Sequence, residues 1–278
     1  MLYGKMELRN LPQLVNNMKR YLKIYRAIIK INIAYILTYR ANFINGTIIS
    51  FLWGAFNVVW VTLITNKATL VFGWKGGELV IITISYIVLT GINYTFFAHN
   101  FENFSRIVDR AEFDSILLKP IDPQFYISTI KISFGSFIRT ITGSIFLAWW
   151  VVSHHYLTGP IQIMCYIVLL AVGVIMMYAI WFLFITTLIW YPNLGNLTEF
   201  LFTLNGFSRY PPEMLLSRGL TALLIFIPIS LIVATPVKVL LQKNAWGDIG
   251  LMVGLCTILF YASRKFWKYA LKHYTSAS

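Results

Sequence analysis

Acidic residues are scarce in this chain: ten Asp and Glu stand against 23 Lys and Arg, and the charged types together make up 12% of it. None of the ten lies within the uncharged runs Ala41–Thr65, Leu79–Ala98, Ile141–Val152 or Ile161–Trp190. A carboxylate proton relay, or a paired general acid and base, therefore has no place in those runs. Glu199 and Glu213 come later and are separated by Pro211-Pro212. There are only two cysteines, Cys165 and Cys256, both inside apolar runs, which excludes a disulfide scaffold. Histidines number four, and the adjacent pair His154-His155 cannot complete a tetrahedral metal site alone. The run G-x-x-x-x-G-K-[ST] is missing, so the chain does not cradle a nucleotide phosphate in the usual loop. No cleaved signal peptide is expected, because charges interrupt the apolar positions of the first thirty residues and no small-residue cleavage site follows. These gaps together point to a chain without catalytic residues and without a metal or cofactor of its own.

Apolar residues are what it has, at 58%, with 17% aromatic. This composition predicts an all-α integral membrane protein, a single transmembrane domain over 1–278. The net charge of +13 sits in basic clusters flanking the apolar runs, which suits membrane lipid headgroups and not nucleic acid. Residues 1–13 read as a tail, and 14–40 as an amphipathic helix lying in the membrane interface. Leu14, Met18, Tyr21, Leu22, Tyr25, Ile28 and Ile29 share its apolar face, with Lys19, Lys23, Arg26 and Lys30 opposite. Six spans follow. Span 1 is 41–66 and span 2 is 78–98, with a glycine turn at Gly73, Gly76 and Gly77 between them. Span 3 is 128–153, in which Arg139 either snorkels to the near interface or faces a wet cavity. Span 4 is 160–190, opened by Pro160. Residues 194–241 read as a broken span 5 plus a re-entrant segment in the outer leaflet, interrupted at Arg209-Tyr210-Pro211-Pro212. A second reading makes Leu220–Val233 the span and places Arg209 and Arg218 at the cytoplasmic surface. Span 6 is 248–263. Gly250-x-x-x-Gly254 and the series Gly135, Ser136, Gly143, Ser144 offer close helix approach.

Between spans 2 and 3, residues 99–127 hold Glu102, Arg106, Asp109, Arg110, Glu112, Asp114, Lys119 and Asp122, too much charge for hydrocarbon. Arg106, Arg110 and Asp114 are four apart and stack along one face of a helix, which Pro120 and Pro123 then end. With both termini cytoplasmic, the inner segments hold seventeen Lys and Arg and the outer ones four, Lys67, Lys75, Lys238 and Lys243. That imbalance puts residues 99–127 on the cytoplasmic side.

The basic amphipathic helix, the six spans, the run from Arg110 to Pro123 (RAEFDSILLKPIDP) and the later Phe207-Ser208-Arg209-Tyr210-Pro211 together resemble the permease (membrane-spanning) subunits of type-2 ATP-binding-cassette exporters. The resemblance covers nearly the whole chain from about Met18. Related loops often carry glycine where this chain has Ala111. It implies that the first helix is an interfacial elbow, that the loop after span 2 holds a coupling helix docking on a separate ATP-binding cassette subunit, and that the segment after span 5 lines the exit. ATP and Mg would be bound by that partner. A second permease, identical or different, would complete the transporter in the inner (cytoplasmic) membrane.

Candidate ATPase-coupling residues are Arg106, Asp109, Arg110, Glu112, Phe113, Asp114, Ile116, Leu117, Leu118, Lys119 and Pro120, with Ile116, Leu117 and Leu118 as the apolar centre of the contact. Candidates for the substrate pathway are Phe51, Trp53, Phe56, Asn57, Trp60, Asn93, Tyr94, Thr95, Asn205 and Arg209, the last expected to face a wet cavity or to pair with Glu199 or Glu213. An aromatic, nearly uncharged wall suits export of a hydrophobic or amphipathic cargo such as a lipid, a drug-like molecule or a peptide, by alternating access. The competing reading is an ATP-independent channel or membrane scaffold. A membrane enzyme is disfavoured, because no cluster of catalytic side chains lies at one depth.

Overall fold

The computed structural model describes residues 3–65, 70, 72–156, 158–192, 194, 196–216 and 220–274; Lys67 and Arg218 lie outside them. Every regular element among these is helical. Five helical segments are long and apolar enough to cross a membrane: Arg40–Ile64, Gly76–Asp109, Phe134–Ser153, Pro160–Ile189 and Trp246–Lys272.

Helix α1 (Tyr3–Thr38) already begins within the expected tail and stops at Tyr39, one residue before α2 (Arg40–Thr65). From Lys19 on the expected faces are kept in part: Ile28 is buried, Tyr21 and Tyr25 are half-buried and Lys23, Arg26 and Lys30 are exposed, but Leu22 of the apolar face is exposed too. The centre of the bundle is α3 (Gly76–Asn93), whose residues from Val80 to Leu89 are all buried. It runs through a π-helical turn, Tyr94–Ala98, into α4 (His99–Asp109). At about 1.5 Å per residue the 34 residues of Gly76–Asp109 extend about 50 Å, well beyond a hydrocarbon layer of about 30 Å. Not all of this segment fits within hydrocarbon, and α4 carries three of its charges, Glu102, Arg106 and Asp109.

After Arg110 the chain turns into α5 (Phe113–Leu117), α6 (Pro123–Thr129) and α7 (Phe134–Ser153). Helix α7 packs on α3 and α2. Close contact with α3 depends on two glycines: a Cβ on Gly91 would meet Thr140 Oγ1 at 2.4 Å, and one on Gly143 would meet Val88 at 3.1 Å. Gly135 likewise faces Thr47, but Gly250 and Gly254 have open space and make no close crossing within the chain.

Helix α8 (Pro160–Thr186, continued by a 3₁₀ turn to Ile189) packs on α11 and α12. Three helices lie between α8 and the last one: α9 (Leu197–Gly206), α10 (Pro212–Leu216) and α11 (Leu220–Leu240). At ten residues, about 15 Å, α9 is too short to cross alone. Pro236 in α11 cannot donate to the carbonyl of Ile232 four residues back. That oxygen rests against Gly173, where any Cβ would come within 2.8 Å of it. Helix α12 (Trp246–Lys272) closes the chain.

Charge marks the two ends of the bundle. At the start of α3, Glu78 pairs with Lys243 at 2.6 Å, while Lys238 pairs with Glu213 and Asp248, each at 2.5 Å. At the other end Arg264 pairs with Asp122, and Arg20 donates to the Pro120 carbonyl. Lys238 and Lys243, which the charge count places outside, and Arg20 and Arg264, which it places inside, thus lie at opposite ends.

Candidate functional site

The segment from α4 to α6 forms a platform tied to three other helices. Phe113 and Ile116 point inward; Phe113 stands edge-on to Phe104, Trp267 and Tyr274 with ring centroids 5.4, 6.1 and 5.1 Å away. Asp122 caps α6 by accepting from the Phe125 N–H at 3.2 Å and also receives Arg264 of α12. Tyr21 of α1 sits edge-on to Phe125 at 4.9 Å. Gln124 and Ser128 both contact the Tyr178 hydroxyl of α8 at 3.0 Å. Lys119 donates to the Tyr126 hydroxyl and lies 4.1 Å from that ring. Burial works to raise the Asp122 pKa, but Arg264 and the Phe125 N–H outweigh it and hold the carboxyl below its ordinary value.

Two expectations about this segment change. Arg106, Arg110 and Asp114 do not share one helix face, because the helix ends at Asp109 and Ala111 adopts the left-handed conformation, φ 56°. The four-residue spacing fits a helix, but the backbone reverses at Ala111. Nor are Ile116, Leu117 and Leu118 a shared exposed centre. Ile116 is buried, Leu117 is half-buried against the core, and Leu118 alone projects, 87% exposed. Arg110, Ala111 and Glu112 are exposed beside it, Arg106 and Ser115 likewise, and Asp114 is half-buried where it takes a hydrogen bond from Tyr274.

Two asparagines secure the loop behind this platform. Asn100 accepts from the Lys131 N–H at 2.7 Å and donates to the carbonyls of Phe96, Ser128 and Lys131. Asn32 of α1 accepts from the Ile132 N–H at 3.1 Å and donates to the Ile130 carbonyl. Sequence reasoning passed over both, since their partners outside their own helical run lie 28 to 100 positions away.

Of the pathway candidates, Trp53, Asn57, Tyr94 and Arg209 are brought together around Tyr86. The Trp53 ring is 6.0 Å from Tyr86; Asn57 donates to the Trp53 carbonyl at 2.8 Å and accepts from Arg209 Nη1 at 3.0 Å. Arg209 also lies over the Tyr210 ring at 5.2 Å. Among the described residues it has no carboxylate partner, since Glu213 is taken by Lys238 and by the Trp74 indole. Tyr94, in the π-helical turn, stacks on Phe202 of α9 at 5.1 Å. Thr95 is buried and bonded to the Gly91 carbonyl. Phe51, Phe56 and Trp60 instead lie on the exposed face of α2. Asn205 is buried away from this group, between α8, α9 and α11. Asn93 is fully buried, and neither of its side-chain polar atoms has a hydrogen-bond partner.

With this geometry in hand, the family model described as ABC-2 family transporter protein matches residues 51–278, most of the chain. The chain belongs to the ABC-2 transporter family. No curated protein and no solved structure matches. An ABC-2 family membrane protein is a transport component, and the family implies partnership with an ATP-binding cassette subunit. The matched region takes in the platform, Leu118 included, and the Tyr86 group, and leaves out all of α1 and the start of α2. Among the described residues no group of three His, Cys, Asp or Glu side chains is placed to hold a metal ion. His154 is stacked on Trp150 with ring centroids 4.0 Å apart.

Proposed function

We propose that this ABC-2 family chain is the permease subunit of an exporter for a hydrophobic or amphipathic molecule, driven by ATP hydrolysis on a separate subunit. In this reading α1 is the interfacial elbow, α5 is the coupling helix, and α9, α10 and α11 together make one further crossing, so that the chain crosses six times with both termini in the cytoplasm. A second permease, a copy or a homologue, pairs with it in the cytoplasmic membrane, and ATP and Mg²⁺ stay with the partner. The observation that carries the reading is Leu118. It is an exposed leucine at the end of α5, on a platform whose Phe113 and Ile116 are buried and whose Arg110 and Glu112 are exposed. Apolar burial at such a contact holds the partner while the flanking charges set its orientation. A load on α5 would pass through Phe113 to Trp267 of α12, through Asp122 to Arg264, and through Pro120 to Arg20 of α1. Because interiors are close-packed, the displacement would move whole helices. Nucleotide shifts the permease between states only through differential affinity for them.

Co-expression with the ATP-binding subunit and purification in mild detergent tests this. Equal numbers of permease and ATPase chains, with ATP-dependent export after reconstitution, are expected. A chain that purifies alone and conducts ions without ATP would establish the channel instead.

A further inference from the structure

Among the described residues Arg139 is a buried charge without a carboxylate partner. It lies in α7 and is only 6% exposed; its guanidinium sits 4.8 Å from the Tyr94 ring and 5.3 Å from the Trp53 ring. Neither Nε nor Nη2 has a hydrogen-bond partner, and among the described residues no ion pair includes it. Two aromatic faces offset part of the desolvation of a cation, but they supply no acceptor for its N–H groups. Breaking a buried pair shows how costly such a charge is, several kcal/mol when uncompensated. An intramembrane arginine therefore faces either water or a counter-charge.

What it faces is a cavity of about 440 Å³ between α1, α2 and the start of α7. Tyr35, Tyr39, Asn42 and Ser50 line it as well, adding hydroxyl and amide groups to its wall, as does His99, engaged with Glu102 at 3.1 Å. A second cavity of about 490 Å³, walled by Tyr21, Tyr25, Phe96, Phe97 and Phe125, shares Ile132 with the first. Both cavities are lined by Ile132, one together with Arg139 and the other together with aromatic rings, a pairing that suits a molecule with an anionic head and a hydrocarbon tail.

We infer that the Arg139 cavity receives a phosphate-type oxyanion, either the headgroup of an amphipathic molecule or the free ion. This deepens, and rests on, the permease reading, because it assigns the cargo or a bound regulator an anionic group. A guanidinium attracts phosphate oxygens as a fixed positive charge, and charge-assisted bonds strengthen where water is excluded.

The test is native mass spectrometry of the delipidated chain with three probes: phosphatidic acid, the matching diacylglycerol, and inorganic phosphate. Wild type is expected to retain phosphatidic acid over diacylglycerol if the headgroup is the ligand; retention of inorganic phosphate without preference between the lipids identifies the free ion. Arg139→Gln should weaken the retained probe on the order of tenfold or more, the size expected for losing a charged hydrogen bond. Arg139→Lys should keep part of it. Gly46→Leu is the second variant: a Cβ at Gly46 meets nothing within 4 Å, so leucine fills the chamber with Arg139 in place, and retention should fall equally. Retention unchanged in both Arg139→Gln and Gly46→Leu, or no preference for either phosphate probe, overturns the inference. Because these measurements use the permease alone, such an outcome with ATPase co-purification intact removes only the anion site, whereas loss of co-purification in the wild type removes the permease reading.

Discussion

Replacing Leu118 by aspartate separates docking from folding. The side chain is 87% exposed, so the change should leave fold stability within about 0.5 kcal/mol of wild type, the usual size for a surface site. Against the partner the same residue would be buried. Full burial of a leucine contributes about 1.5–3 kcal/mol. An aspartate in its place forfeits that and adds an unpaired, desolvated charge costing several kcal/mol. The combined loss is about 4 kcal/mol or more, which weakens association on the order of a thousandfold. Phe113→Asp is the contrasting variant. Phe113 is 1% exposed among Phe104, Trp267 and Tyr274, and truncating a buried phenylalanine already costs about 3–5 kcal/mol. The assay pairs thermal melting of the purified permease with recovery of the ATP-binding subunit in mild detergent. Leu118→Asp should melt as wild type and lose the subunit; Phe113→Asp should lose both. If Leu118→Asp retains the subunit and still stimulates ATP hydrolysis, Leu118 is a solvated loop residue and the coupling assignment fails.

Ala111→Gly should stabilise the chain by up to about 1 kcal/mol, because relief of a left-handed alanine, about 1–2 kcal/mol, exceeds the added freedom of the unfolded state, about 0.4–1 kcal/mol; a lower melting temperature would contradict the turn. Asn100→Leu should destabilise by about 2–4 kcal/mol, since it strands the Lys131 N–H and the Ser128 carbonyl, and amide exchange at Lys131 should quicken. Asp122 has a depressed pKa, so its stabilising contribution is complete above its ordinary value of 3.8 and is lost as pH falls through the lower folded value. Asp122→Asn, which keeps the helix cap but not the ion pair with Arg264, should flatten the melting profile in that acid window, and an unchanged profile would refute the linkage. Single cysteines at Arg110, Lys75 and His155 in a cysteine-free background should label with an impermeant reagent only at the latter two in intact cells; labelling at Arg110 would reverse the topology.

The five long apolar helices were legible because an uncharged run of some twenty residues has few other uses, and α2 begins within one residue of the predicted start. The amphipathic face of α1 was legible for a similar reason, its period being local. The break at Ala111 was not, because side-chain spacing is blind to one residue's φ. Burial of Ile116 beside Phe113 was not, because the cover for this short helix comes from Trp267 and Tyr274, about 150 positions later. The aromatic box around Arg139 draws on α2, the π-helical turn and α7 at once, so the sequence showed only an arginine out of place. Arg209 is held by Asn57, 152 positions away, and not by the nearer glutamates that local reasoning favoured.

A photo-crosslinking amino acid at position 118, with a second at position 246 as control, tests the coupling role of α5 in living cells. Both sites are exposed, Leu118 at 87% and Trp246 at 83%, and they lie at opposite ends of the bundle. Illumination should join position 118, and not position 246, to a chain that carries the G-x-x-x-x-G-K-[ST] nucleotide loop. A nucleotide-binding chain captured at 246 instead, or none captured at 118 while transport proceeds, would contradict the account.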